Sequence, residues 1–305
     1  MNASFRLEFI TPLFSRGAYE DRPEIRAASI RGQLHAWFRG LGGNAADEKS
    51  IFGGVHGGAV ASKVVVRVKH AKLSGQWIPT LPHKPAGRSP QDGPNAPRIA
   101  APVGTGCDLH LLARLGGLDA RLDAALLRTV ESWLLLGALG LRSTRGGGSF
   151  RWTSLGDTKL SPPADFTSYQ RRCSELLQGA PLRFALLHEV YHTAEQARGV
   201  VSDTLGGPRP ANPDETAMLR DLHWPLGDVA SKRLQQEDRT RKDRKTSPLR
   251  FRIVGIGQEY RIAAIWDGRD RVTGNRPSDL PGIIKLLAER KPNLGGQLQA
   301  SALAQ

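Results

Sequence analysis

In residues 24–54, EIRAASIRGQLHAWFRGLGGNAADEKSIFGG, the apolar positions Ile30, Leu34, Trp37, Phe38 and Leu41 recur at helical spacing and make one stripe. They predict a helix running from Glu24 to Phe52 that packs on a sheet through that stripe. Arg26, Arg31 and Arg39 fall off the stripe, and Ser29, Gly32 and the alanines let another backbone come close. The same helix can therefore pack and face an anion.

Strands surround this helix in the sequence. Phe5, Leu7 and Phe9 alternate with Arg6 and Glu8 and stop at Thr11-Pro12, the pattern of a half-buried strand. Ser62 to His70, SKVVVRVKH, alternates through Val64, Val66 and Val68. A further strand is expected over Thr105 to Leu115, a helix from Asp119 to about Gly137, and a last strand from Ser149 to Leu155. That order, βαββαβ, is an α+β arrangement of the ferredoxin-like and RNA-recognition-motif kind, with one sheet face left open. It places a first domain at 1–156. Within it lies a proline-rich insertion at 79–102, whose seven prolines argue against regular structure.

Residues 157–305 repeat the scheme in degenerate form. Helices are expected near Phe166 to Leu177, Ala194 to Leu205 and from Ser278 to about Arg290. Strands are expected near Leu182 to Tyr191, Leu249 to Gly255 and Gln258 to Asp267. A basic segment, SKRLQQEDRTRKDRK at 231–245, carries seven basic residues and three acidic ones, fitting either a solvated face or an RNA-contacting hairpin.

With 305 residues the chain has room for two domains of about 150 residues each. Its 43 Lys and Arg against 29 Asp and Glu leave a net charge of +14, which favours polyanionic partners such as RNA, DNA or an anionic membrane surface. No apolar run is long enough to span a bilayer and the N-terminus lacks the basic-then-apolar pattern of a signal peptide, so a cytoplasmic protein is expected. Cys107 and Cys173, with no CxxC pair, read as buried reduced thiols.

Two further stretches bear on chemistry. In Arg142-Ser143-Thr144-Arg145-Gly146-Gly147-Gly148-Ser149, glycine amides can approach a phosphate unobstructed while two guanidiniums flank it. The lysine and hydroxyl of a Walker loop are missing, as are GxGxxG and GxSxG patterns. His188 to His192, HEVYH, matches the HExxH pattern of zinc peptidases, which requires both histidines on one helical face. Thr193 and Gln196 resemble a capping box, starting a helix only after His192. On the preceding strand the two histidines would stand about 13 Å apart, too far to share one zinc.

Taken in order, FRLEFITPLF (5–14), EIRAASIRGQLHAWFRG (24–40), SIFGG (50–54), GALGLRSTRGGGSF (137–150) and KTSPLRFRIV (245–254) resemble the RAMP superfamily. Within it they resemble the family of first subunits of Cmr-type (type III-B) CRISPR effector complexes. The resemblance implies a non-catalytic subunit that binds guide RNA and target RNA beside other RAMP subunits. It would cap the end of the complex away from the guide's 5′ tag, in antiviral defence, with no cofactor. RNA contacts are implied for Arg26, Ser29, Arg31, Gly32, His35, Arg39, Arg142, Arg145, Gly146, Gly147, Gly148 and Ser149, and Lys232 and Arg233 join them from the basic segment. The family usually has an aromatic residue where this chain has Gly147, and a second arginine where it has His35. Some RAMP relatives cut RNA, and the alternative is an endoribonuclease acting on guide precursor or target, with His35, Asp238 and Asp243 as candidates.

Overall fold

The computed structural model describes residues 2–17, 22–55, 57–71, 73–82, 97–114, 116–187, 189–203 and 250–267. Lys232, Arg233, Asp238, Asp243, His188 and the helix expected from Ser278 lie outside the described residues.

Strand β1 (Asn2–Phe9) is central in a four-stranded antiparallel sheet with β2 (Val64–Lys69), β5 (Gly106–Ala113) and β6 (Phe150–Leu155), in the order β2-β5-β1-β6. Register follows the alternation: Leu7 lies between Cys107 and Trp152, and Phe5 is opposite Leu109. Phe5, Leu7 and Phe9 are fully buried, and burial of each such side chain contributes about 1.5–3 kcal/mol. Phe5 meets Trp152 edge to face at 5.5 Å between centroids, and Phe9 meets Phe150 at 6.0 Å. The inner face is covered by α1 (Ala27–Gly40) and α3 (Ala120–Leu136); Asp119 caps α3 by accepting from the Leu122 amide at 2.8 Å. The opposite face carries Arg6, Arg67, Lys69 and Asp108, with Arg6 and His70 both paired to Asp108.

The helix expected over 24–52 is two helices. The left-handed turn at Gly42 (φ 90°) ends the first, and Asn44 starts α2 (Ala45–Phe52) by accepting from the Asp47 amide at 2.8 Å. The proline-rich insertion is also more regular than its composition suggests. Its borders pair as β3 (Gln76–Pro79) and β4 (Pro97–Ala100), with Trp77 opposite Ile99. Pro79 and Pro97 face each other at the ladder's last pair, and the β-forming Trp77, Ile78 and Ile99 carry the rest.

In the second half, α4 (Phe166–Leu177) begins at an Asp165–Ser168 capping box, and α5 (Ala194–Asp203) covers a sheet of order β7-β9-β8. These strands are β7 (Leu182–Leu186), β8 (Arg250–Ile256) and β9 (Glu259–Asp267). β7 ends five residues short of the expected Tyr191, which pairs singly with Tyr260. Thr193 Oγ1 accepts from the Gln196 amide and Gln196 Oε1 accepts from the Thr193 amide, each at 3.2 Å, so α5 does begin after His192.

This second sheet is two-sided. Val254, Ala263 and Ile265 join the core formed by α1, α3 and β1, while Phe251, Ile253, Ile262, Ala264 and Trp266 pack with Ala197 and Val201 of α5. Arg252, 4% exposed, reaches from β8 into the shared core. It donates to the carbonyls of Phe150 (2.7 Å) and Trp133 (3.4 Å), with its guanidinium 4.6 Å from the Phe150 ring. Burial pushes its pKa down to about 10, so it stays charged at neutral pH. Cys107 and Cys173 are buried free thiols pushed up to about 12 by burial. Among the described residues no helix is long and apolar enough to cross a membrane.

Candidate nucleic-acid interface

The sheet fixes one side of α1, and the remaining surface divides into two faces. Positions 31, 35 and 39 turn towards α2. Arg31 donates to the Phe52 carbonyl at the end of α2, where orphan helix carbonyls gather. His35 Nδ1 donates to Glu48 Oε1 at 2.6 Å and its ring lies 4.4 Å from Phe52. Arg39 grips Glu48 with two bonds, at 2.8 and 2.6 Å. Arg39 first, and His35 after it, hold the Glu48 carboxyl below the usual glutamate range. Three of the residues expected to meet RNA therefore bind α1 to α2.

The other face of α1 carries Ser29, Gly32, Gln33 and Ala36. They form one wall of a cleft of about 330 Å³, and Ser143, Thr144, Arg250 and Phe251 stand across it. A β-carbon at Gly32 would meet nothing within 4 Å, so this part of the wall opens to solvent. Arg26, exposed, precedes the first turn of α1 about one turn before Ser29. Gln33 is fixed by accepting from Trp133 Nε1 at 3.0 Å.

The glycine loop forms the far wall, but its amides are not aimed at a ligand. Gly146 N donates to Phe251 O, Gly147 N to Arg142 O and Gly148 N to Pro12 O, all at 3.0 Å, and Ser149 N to Thr11 Oγ1 at 2.9 Å. Ser149 is fully buried; its hydroxyl donates to Gly146 O and accepts from Ile253 N at 3.0 Å. These amides, expected to approach a phosphate, have partners within the fold: that of Gly146 reaches β8, and the other three bond to the loop's own start and to residues 11–12. Gly148, at φ 62°, is glycine because a β-carbon would lie 1.8 Å from the Leu139 carbonyl oxygen.

What the loop offers to solvent is its first half. Arg142 takes φ 64°, a left-handed conformation uncommon outside glycine, and Ser143 and Thr144 enter the cleft wall. Arg145 lies 5.9 Å from the Phe251 ring. Burial, then Arg142, brings Arg145 down to about 10, and burial, then Arg98, lowers Arg142. Both guanidiniums remain charged at neutral pH.

The structure brings Ser29 and Gly32 to one cleft with the loop that carries Arg142 and Arg145, and it separates Arg31, His35 and Arg39 from them. The sequence reading did not single out Gln33 or Arg250, which line the cleft. Of the two only Arg250 left a trace in the sequence, as the residue opening the apolar alternation of β8. Among the described residues no group of three His, Cys, Asp or Glu is placed to hold a metal.

Comparison with known proteins agrees with this architecture. Over 41 residues the chain is 54% identical to the CRISPR system Cmr subunit Cmr1-2 of Pyrococcus furiosus, a match that spans 13% of this chain and 22% of that relative's length. The fold resembles the crystal structure of apo Cmr1 from Pyrococcus furiosus, with a TM-score of 0.59 at 15% identity, covering 96% of this chain and 97% of the other. It also resembles a chain in a cryo-EM structure of Type III-B Cmr-beta bound to cognate target RNA and AMPPnP, with a TM-score of 0.58 at 9% identity, covering 89% and 97%. At such identities the likeness is one of fold. Residues 6–151, from β1 through the glycine loop into β6, match the model of the RAMP superfamily.

Proposed function

We propose that this chain is a non-catalytic RNA-binding subunit of a Cmr-type, type III-B CRISPR effector ribonucleoprotein. It contacts guide and target RNA and sits among other RAMP subunits at the end of the complex away from the guide's 5′ tag. The observation that carries this reading is the open cleft between α1 and the loop 142–149, walled by Ser29, Gly32, Ser143, Thr144 and Arg250, with Arg142 and Arg145 flanking its loop wall. Backbone-phosphate recognition needs cations and small hydroxyls on a groove open to solvent, and needs no base code when sequence is read by pairing to a guide.

The order β2-β5-β1-β6 supports a ferredoxin-like first unit at 1–156, with β3 and β4 as its insertion, and 157–305 as a degenerate second unit fused to it through a common core. The endoribonuclease alternative has less support. His35 is the one described candidate, and the Glu48 carboxylate that would orient it is already gripped by Arg39. An affinity-tagged chain expressed in its native host tests the proposal through the RNA and proteins that co-purify. Repeat-tagged guide RNAs together with other RAMP subunits are expected; a chain recovered alone and free of RNA would overturn it.

A further inference from the structure

The strands β3 and β4 form a sheet of their own, tied to the glycine loop through residues 13–14. Leu13 and Ala101 exchange backbone hydrogen bonds at 2.9 and 3.0 Å, and on the next residue the Phe14 carbonyl accepts from the Leu141 amide at 2.7 Å. Residues 13–14 thus lie between the continuation of β4 and the start of the loop, which places those two backbones about two strand spacings, or 10 Å, apart. Arg198 of α5, 2% exposed, anchors the hairpin from the other side. It donates to the Thr80 carbonyl at 3.0 Å, and its guanidinium lies 5.6 Å from the Phe14 ring.

Arg98 is the one cation of β4, and it pairs across the hairpin with Ile78. Arg142 is the residue that follows Leu141, in a left-handed conformation at φ 64°. The two like charges are near enough for Arg98 to depress the Arg142 pKa. Among the described residues neither makes an ion pair with a carboxylate. Two like charges brought near each other on separately anchored elements repel, and an anion between them removes the repulsion.

We propose that Arg98 and Arg142 jointly bind one backbone phosphate of an RNA strand, a contact on the hairpin side of the glycine loop that extends the path of RNA beyond the α1 cleft. This rests on the RNA-binding reading above. A guanidinium pair suits a phosphodiester, since each fork can take a different non-bridging oxygen.

Binding of fluorescein-labelled oligouridylate to the full-length chain, followed by anisotropy over a range of salt concentrations, tests the pair through Arg98→Ala, Arg142→Ala and the double variant. Melting temperatures near that of the parent chain establish that each variant folds. The expected result is that each single change weakens binding about 5- to 20-fold and lowers the salt slope by about 0.7, the share of one single-strand phosphate. The double variant should bind within about twofold of the weaker single one, because both arginines serve the same phosphate. Additive losses, with a slope lower by about 1.4, would mean two separate phosphates and overturn the shared contact. Unchanged affinity in Arg98→Ala would overturn it as well. Should Arg98→Ala fail to fold, Arg98→Gln with the same readouts replaces it. Absence of binding by the parent chain would overturn the RNA reading itself and the clamp with it, an outcome separate from a parent that binds and an Arg98 variant that does not differ.

Discussion

Arg31 and Arg142 were equal candidates by residue type, but their surroundings give them different work. Arg31 donates to the carbonyl end of α2, so Arg31→Ala should cost about 1–2 kcal/mol of stability and leave RNA affinity within about twofold. Urea unfolding and anisotropy on one preparation separate the two effects; a large affinity loss at full stability would return Arg31 to the interface. Glu48 gives a second residue-level expectation. Its folded pKa lies below the unfolded one, so its contribution is complete above the ordinary glutamate value of about 4.3 and is lost as pH falls through the folded value. Glu48→Gln should therefore flatten the acid limb of a melting-temperature profile measured from about pH 6 to pH 3, and an unchanged limb would mean the Arg39 pair carries no stability. The sequence made the cations legible but not their partners. Spacing alone puts 31, 35 and 39 on one side of α1, whereas what occupies that side depends on the reversal at Gly42, which brings α2 back against it.

At the scale of elements, patterns with a physical period were readable and those set by tertiary pairing were not. The alternation of β1 and β2 and the Thr193 capping box led to elements close to their expected bounds, and the helix expected from Asp119 to about Gly137 is α3. The hairpin β3–β4 escaped because its prolines dominate the composition, although the paired residues between them are strand formers. In the glycine loop the sequence showed the glycines and not the partners of their amides. A run of glycine permits a close approach without saying to what, and here the neighbours are Leu139, Pro12 and Phe251. Gly148→Ala puts this to the test. A β-carbon on the Leu139 carbonyl and an unfavourable φ should together lower stability by roughly 2–3 kcal/mol or more. A urea midpoint equal to that of the parent would show that the loop is not held as described.

Across the whole molecule, the two halves share one apolar core: Val254, Ala263 and Ile265 of the second sheet pack with Phe5, Leu34 and Trp133. Buried Arg252 adds hydrogen bonds across the same boundary. A fragment covering 1–156 should accordingly unfold at lower urea than the full chain, with rapid exchange of the Gly146 amide, whose acceptor is Phe251. Equal stability would establish the first half as an independent unit. The Ser149 hydroxyl accepts from Ile253, which follows it by 104 residues. Seen from the ribosome, the wall of the cleft is thus completed by some of the last described residues to be translated. A nascent chain that has already made α1, β1 and all of its loop glycines still lacks the strand against which the loop sets, so RNA meeting it early finds charge without shape. Under the proposed function, a cleft shaped to hold RNA exists only once β8 has emerged, so the order of synthesis would delay loading until the scaffold is assembled.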